Sequence, residues 1–210
     1  MHQTPGMAIV SVLLALAACG GVERGDKPAE QSAVVSVRLI GFNDFHGNLE
    51  PPGISINAPG ANGSPVPVPA GGAAHFASAI ASMKAANPNH AVVSAGDLIG
   101  ASPLVSSLFL DEPTIEAVNI MGIDFSALGN HEFDRGQAEL MRMKRGGCAK
   151  FTAIEPCRIS RNFAGANFGF LAANTVKADG ETLFPATAVK SFSSGLHTTK
   201  VGFIGMTFTQ

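Results

Sequence analysis

Three short polar strings interrupt a largely apolar chain: Asn43-Asp44-Phe45-His46-Gly47, Gly96-Asp97, and Gly129-Asn130-His131-Glu132-Phe133-Asp134. Asp44 and His46 are two residues apart, so on a regular strand both side chains would point to the same face. A carboxylate and an imidazole so placed suit a divalent metal of intermediate softness, such as zinc, manganese or iron. Asp97 follows a glycine that lets the backbone turn sharply, and its two oxygens can bridge two metals. Asn130 offers a neutral carbonyl oxygen to a second metal and an amide N–H to a phosphate. His131 and Asp134, three apart, can meet across one helical turn. Each string alone has a plainer reading. D-x-H suits a surface turn, Gly-Asp is common turn chemistry, and Asn-His-Glu or Asp134 could simply cap a helix.

The elements before each string give the coincidence its weight. Val34–Phe42 is β-branched and apolar enough to be a buried strand, and it runs directly into the first string. Asn48–Ala70 is rich in Pro and Gly without a period, so it is expected to be a long loop. Gly71–Ala86 has helical spacing, with Phe76, Ile80 and Met83 on one face and Asn87-Pro88 as a stop. A second strand, Ala91–Ala95, ends in Gly96-Asp97. Asp111 can cap a helix that has Pro113 in its first turn and Gly122 after its last. A third strand, Phe125–Leu128, ends in the third string, and a helix over Gly136–Arg145 is closed by Gly146-Gly147. Phe168–Ala173, Ala186–Phe192 and Lys200–Met206 are strand-like, with Gly195 at a turn. Alternating strands and helices predict an α/β layered domain with right-handed crossovers. In such sheets ligand sites lie beyond the carboxyl ends of the strands, where all three strings fall.

Composition limits the classes of function. Of 210 residues, 46% are hydrophobic and 14% charged, with a formal net charge of -2, so a packed core is expected. No run of Lys or Arg marks a nucleic-acid polymer as partner. A small anion would have to be held by local cations.

The N-terminus reads as a processing signal. Ala8–Ala18 is apolar but too short to span a bilayer. Leu16-Ala17-Ala18-Cys19 resembles the lipobox of bacterial lipoproteins, which makes Cys19 the lipidation site. His2 stands where such signals usually carry Lys or Arg, and an ordinary signal peptide cut at A-x-A is the alternative. The expected organisation is therefore a lipoprotein signal peptide over 1–18, a tether over 19–33 and a catalytic domain over 34–210. Cys148 and Cys157 could close a short loop in an oxidising compartment, worth roughly 2.5–3 kcal/mol. The alternatives are free thiols or a partner elsewhere.

D-x-H, then G-D, then G-N-H-E is the signature order of the calcineurin-like metallophosphoesterases. The fuller strings FNDFHGNLEP, SAGDLIGASPLVS and LGNHEFDRG resemble the bacterial 5'-nucleotidase and UDP-sugar hydrolase branch. The resemblance runs from about Val37 to Thr207 and implies a layered α/β/β/α sandwich, incomplete at its C-terminus. It also implies two divalent metal ions (Zn, Mn or similar). Asp44 and His46 would hold the first, Asp97 would bridge both and Asn130 would hold the second. His131 and Asp134 would form the catalytic dyad, with Glu132 a structural partner.

The implied reaction is hydrolysis of a nucleotide phosphomonoester. Two cations roughly 3.5–4 Å apart activate a shared water and clamp the phosphoryl oxygens, while His131 assists the departing ester oxygen. After His131 the only histidine is His197, expected in a turn, so the second metal lacks ligands and this chain alone is expected to be inactive. A nucleotide or nucleotide-sugar substrate and a lipid-anchored place in the periplasm or cell envelope are implied. The residues leave open a 2',3'-cyclic nucleotide phosphodiesterase, a UDP-sugar hydrolase, a sulfate-ester relative or a non-catalytic surface lipoprotein that binds metal or ligand.

Overall fold

A computed structural model describes residues 34–208; the signal, tether and Cys19 read from the sequence lie outside these. Among them run β1 (Arg38–Phe42), β2 (Ser55–Pro59), β3 (Pro65–Pro69), α1 (Gly72–Ala85), β4 (His90–Ser94), α2 (Leu104–Ser107), α3 (Glu112–Met121), β5 (Phe125–Ala127), α4 (Gly136–Arg145), β6 (Gly169–Leu171), β7 (Thr187–Ser194) and β8 (His197–Ile204). The fold is mixed α/β. β1, β4, β5 and β6 form one parallel sheet in that order, with Ile40 beside Val92 and Ser94 beside Ser126. β7 and β8 form a separate antiparallel pair, in which Lys190 salt-bridges Asp124 and Phe203 packs 5.1 Å from Phe125.

Helices on the sheet bury one apolar face each. Ile80 of α1, Ile115 and Val118 of α3, and Leu140 and Met143 of α4 meet Ile40 and Val92 in one core. The face of α1 is Ala73, Phe76, Ala77 and Ile80; Met83, expected on it, is 37% exposed. The i, i+3, i+4, i+7 stripe thus starts one turn earlier than the sequence suggested, with Phe76 packed on Phe42 and Phe45.

The region read as a long loop contains a hairpin. β2 and β3 pair antiparallel with Ile56 opposite Val68 and Ala58 opposite Val66. Successive N–H groups of a strand point to opposite edges, so Pro65, Pro67 and Pro69 all place their missing donors on the outer edge. Val66 and Val68 keep theirs for the partner strand. Composition alone hides this, since Pro normally argues against a strand. The single turn of α2 is too short for periodicity to reveal.

Asp111 departs from its expected role. Its carbonyl accepts the N–H of Thr114 and Ile115, but its φ is 63° and its side chain caps nothing in α3. Gly122, at φ 68°, closes α3 as expected. The cysteines pair: Cys148 and Cys157 form a disulfide with Cα atoms 5.6 Å apart. Behind it Arg142, buried, bridges Glu112 and Glu139, and Glu112 also accepts the Cys157 N–H at 2.9 Å. No helix among the described residues is long and apolar enough to cross a membrane.

Candidate metal centre

Three loops that leave the carboxyl ends of β1, β4 and β5 meet at one end of the sheet. Backbone bonds lay the first along the second: Asp44 N–H to Gly96 O (3.2 Å), His46 N–H to Asp97 O (3.0 Å) and Gly47 N–H to Leu98 O (3.1 Å). Phe45 is buried and stacks on Phe76, which turns its neighbours outward. Asp44 and His46 have φ of 52° and 44°, so they converge through left-handed backbone and not through the two-residue period of a strand. β1 has already ended at Phe42.

The second and third loops are cross-stitched by their acids. The Asp97 carboxylate accepts the His131 N–H at 2.9 Å. In return the buried Glu132 carboxylate accepts the N–H groups of Asp97 (2.9 Å), Leu98 (2.8 Å) and Gly129 (2.6 Å). Burial raises the Glu132 pKa, and the three N–H groups pull it back only in part. At Gly129 and Gly96 the two backbones touch; a Cβ on either would strike the other loop.

His46 donates from Nδ1 to the Gly100 carbonyl at 2.9 Å. A carbonyl only accepts, so Nδ1 carries the proton and Nε2 keeps a free lone pair. His131 sits with its ring 5.0 Å from that of His46, at 80°. Its Nδ1 is 2.9 Å from Asp134 Oδ2, within the short 3₁₀ turn His131–Phe133 and the residue after it. That hydrogen bond raises the His131 pKa. Burial opposes it, and the charges of Asp134, Asp97 and Glu132 add to it.

His46, Asp97 and His131 each offer one donor atom, all within 4.8 Å of one another. The carboxylate and the His46 imidazole fit a divalent cation of intermediate softness, with the Asp134-paired His131 ring beside them. Asp44 stands just outside this group: its Oδ1 is 3.6 Å from His46 Nε2, its side chain is 54% exposed, and Asn43 donates to its other oxygen. Asn130 is exposed at the start of the 3₁₀ turn, and its side chain makes no hydrogen bond among the described residues. His197, expected in a turn, is the first residue of β8 and exposed. Three residues that sequence reasoning did not place at the centre support it: Gly100, Asp111 and Arg135. Arg135 in the string FDRG was visible, but nothing local tied it to Asp111.

No family model matches the chain. Over 169 residues it is 57% identical to an uncharacterized protein in the pqq-V 5' region of Acinetobacter calcoaceticus, covering 79% of this chain and 83% of that protein. It is 36% identical to endonuclease YhcR of Bacillus subtilis, covering 72% of this chain and 12% of that one. It is 37% identical to a probable 5'-nucleotidase of Treponema pallidum, covering 49% and 16%. Among solved structures, the 5'-nucleotidase precursor from Thermus thermophilus matches with a TM-score of 0.54 and 25% identity, covering 81% of this chain and 28% of that one. Haemophilus influenzae NAD nucleotidase (TM-score 0.58, 22% identity, coverage 81% and 26%) and the calcineurin-like phosphoesterase YfkN of Bacillus subtilis (0.56, 23%, coverage 82% and 48%) share the fold. Apart from the Acinetobacter protein, the chain spans less than half the length of each of these.

Proposed function

We propose that the chain is a member of the 5'-nucleotidase branch of the calcineurin-like metallophosphoesterases and that it hydrolyses phosphate esters of nucleotides or nucleotide sugars at the centre formed by its three loops. The observation that carries this reading is the convergence of His46, Asp97 and His131 donors within 4.8 Å, with His131 backed by Asp134.

In this reading Asp44, His46 and Asp97 would hold one divalent cation, and Asp97 with Asn130 would contribute to a second. Bound there, the cations supply Lewis acidity toward the phosphoryl oxygens and lower the pKa of a water. His131 does the proton work. Its Nδ1 donates to Asp134, which orients the ring and stabilises the imidazolium, so the proton on Nε2 can pass to the departing ester oxygen. The Asp44 oxygen lies 3.6 Å from His46 Nε2, within reach of a cation held by that nitrogen.

Residues 1–18 serve as an export signal, Cys19 carries the lipid, and 19–33 tether the domain at 34–210 to the cell envelope. The second cation has only Asp97 and Asn130 among the described residues, so the 210-residue chain binds one cation firmly and a second weakly, with little turnover.

Phosphate release from a mononucleotide, with zinc or manganese supplied, tests the activity. Replacing His131 by Ala should cost roughly 10²–10⁴ in rate, and Asp97→Asn should abolish cation uptake measured by calorimetry. Normal cation binding by Asp97→Asn, or fast nucleotide turnover by the 210-residue chain alone, contradicts this reading.

A further inference from the structure

Between β4 and α3 the chain passes directly behind both histidines, and two residues that are not among the candidate cation donors fix its path. Gly100 is the junction. Its carbonyl accepts His46 Nδ1–H at 2.9 Å, and its N–H donates to Asp111 Oδ2 at 3.4 Å. Its Cα backs onto the His131 carbonyl and the Asp134 carboxylate so closely that no side chain fits. The next residue, Ala101, donates its N–H to Asp134 Oδ2 at 3.3 Å.

Asp111 anchors this junction. Its side chain is 0% exposed, and it accepts Ser106 Oγ–H at 2.6 Å as well as Arg135 Nη1. Arg135 follows Asp134 in sequence and also donates to the Ser107 carbonyl at 3.3 Å. One buried ion pair therefore grips the loop at Gly100, where His46 is held, and the segment that carries His131 and Asp134. Ala101, Leu110 and Asp111, at φ of 47°, 59° and 63°, adopt left-handed backbone that L-residues rarely take without outside support.

We propose that the Asp111–Arg135 pair is a positioning device for the candidate centre. It sets Gly100 so that the carbonyl holds His46 with its proton on Nδ1 and its Nε2 lone pair toward the cation. Asp111 and Arg135 touch neither cation nor substrate and act through Gly100. The inference rests on the reading of His46 as a cation donor. Its first half, the control of His46 by the pair, is independent of any cation.

Arg135→Gln is the variant of choice, because Arg135 is 22% exposed and its loss leaves a folded chain more surely than a change at buried Asp111. In the metal-free 210-residue chain, long-range proton–nitrogen NMR reads which nitrogen of His46 bears the proton. The wild type should show Nδ1–H, Arg135→Gln a mixture of both tautomers, and Arg135→Lys, which keeps the charge, Nδ1–H again. Titration with zinc or manganese should show about a tenfold loss of affinity in Arg135→Gln, the usual scale for a partner behind a ligand. If Arg135→Gln lowers the unfolding temperature but keeps the wild-type tautomer and affinity, the pair is merely structural and the proposal fails. An Nε2–H tautomer in the wild type also overturns it. If the tautomer shifts in Arg135→Gln while the wild type takes up no cation, positioning stands and the metal-centre reading falls.

Discussion

Gly129→Ala asks how tightly the centre is clamped. The Gly129 backbone has no unusual φ, so the substitution adds only a methyl group. Built on this backbone, that methyl lies 2.6 Å from the Asp97 backbone nitrogen and overlaps the Asp97 carboxylate. Ordinary contact begins at 3.4 Å, so the loops must part by about 0.8 Å. The bonds across this junction, His131 N–H to Asp97 and Asp97 N–H to Glu132, are both 2.9 Å. Such a displacement stretches them past the range of useful hydrogen bonds. Overpacking costs about 1–3 kcal/mol and each of the two lost bonds about 1 kcal/mol, which together give about 3–5 kcal/mol. With a urea slope near 2 kcal/mol/M for a domain of this size, the midpoint should fall by about 1.5–2.5 M. Cation uptake should weaken in parallel, because Asp97 is displaced. Gly202→Ala, where the new methyl meets nothing within 4 Å, is the control. An unchanged midpoint and unchanged cation affinity in Gly129→Ala would refute the clamped-loop account.

Three other outcomes are expected. Asp134→Asn should lower the titration midpoint of His131 in the metal-free chain, since the bond to Asp134 is the chief cause of its raised pKa. The raised value means that the charged ring adds stability fully present below the ordinary 6.5 and lost as pH rises through the folded value, so the variant loses this stability earlier; a midpoint that stays or rises, followed by NMR, contradicts it. Replacing Cys148 and Cys157 together by Ser should cost about 2–3 kcal/mol in urea unfolding under oxidising conditions, the loop-closure entropy of so short a ring. Arg142→Leu leaves Glu112 and Glu139 buried without their cation and should cost about 3–5 kcal/mol; a loss below 1 kcal/mol would show that the triad contributes little.

What could be read from sequence was the local part. The three strings sit at loop tips after β1, β4 and β5, because Gly and the end of an apolar run are short-range signals. The helix over Gly136–Arg145 is found with those ends, since a glycine pair closes it and its apolar positions recur at helical spacing. Long-range contacts were not legible. Asp111 looked like a cap because its partner Arg135 is 24 residues away, and Glu132, expected as a structural partner, gave no sign of which backbone groups, 34 and 35 residues off, it would serve. Asp44 and His46 converge as expected but by left-handed turns, which strand periodicity cannot foresee.

The β2–β3 hairpin has a consequence for behaviour in solution. Its Ile56, Val66 and Val68 are exposed, and an uncovered ribbon of this kind ordinarily invites a stranger to add a strand. The outer margin of β3 offers carbonyls alone, because every outward nitrogen belongs to a proline. An incoming chain would find acceptors without donors there, so this arm can stay sticky on its faces and still be a poor template for fibre growth.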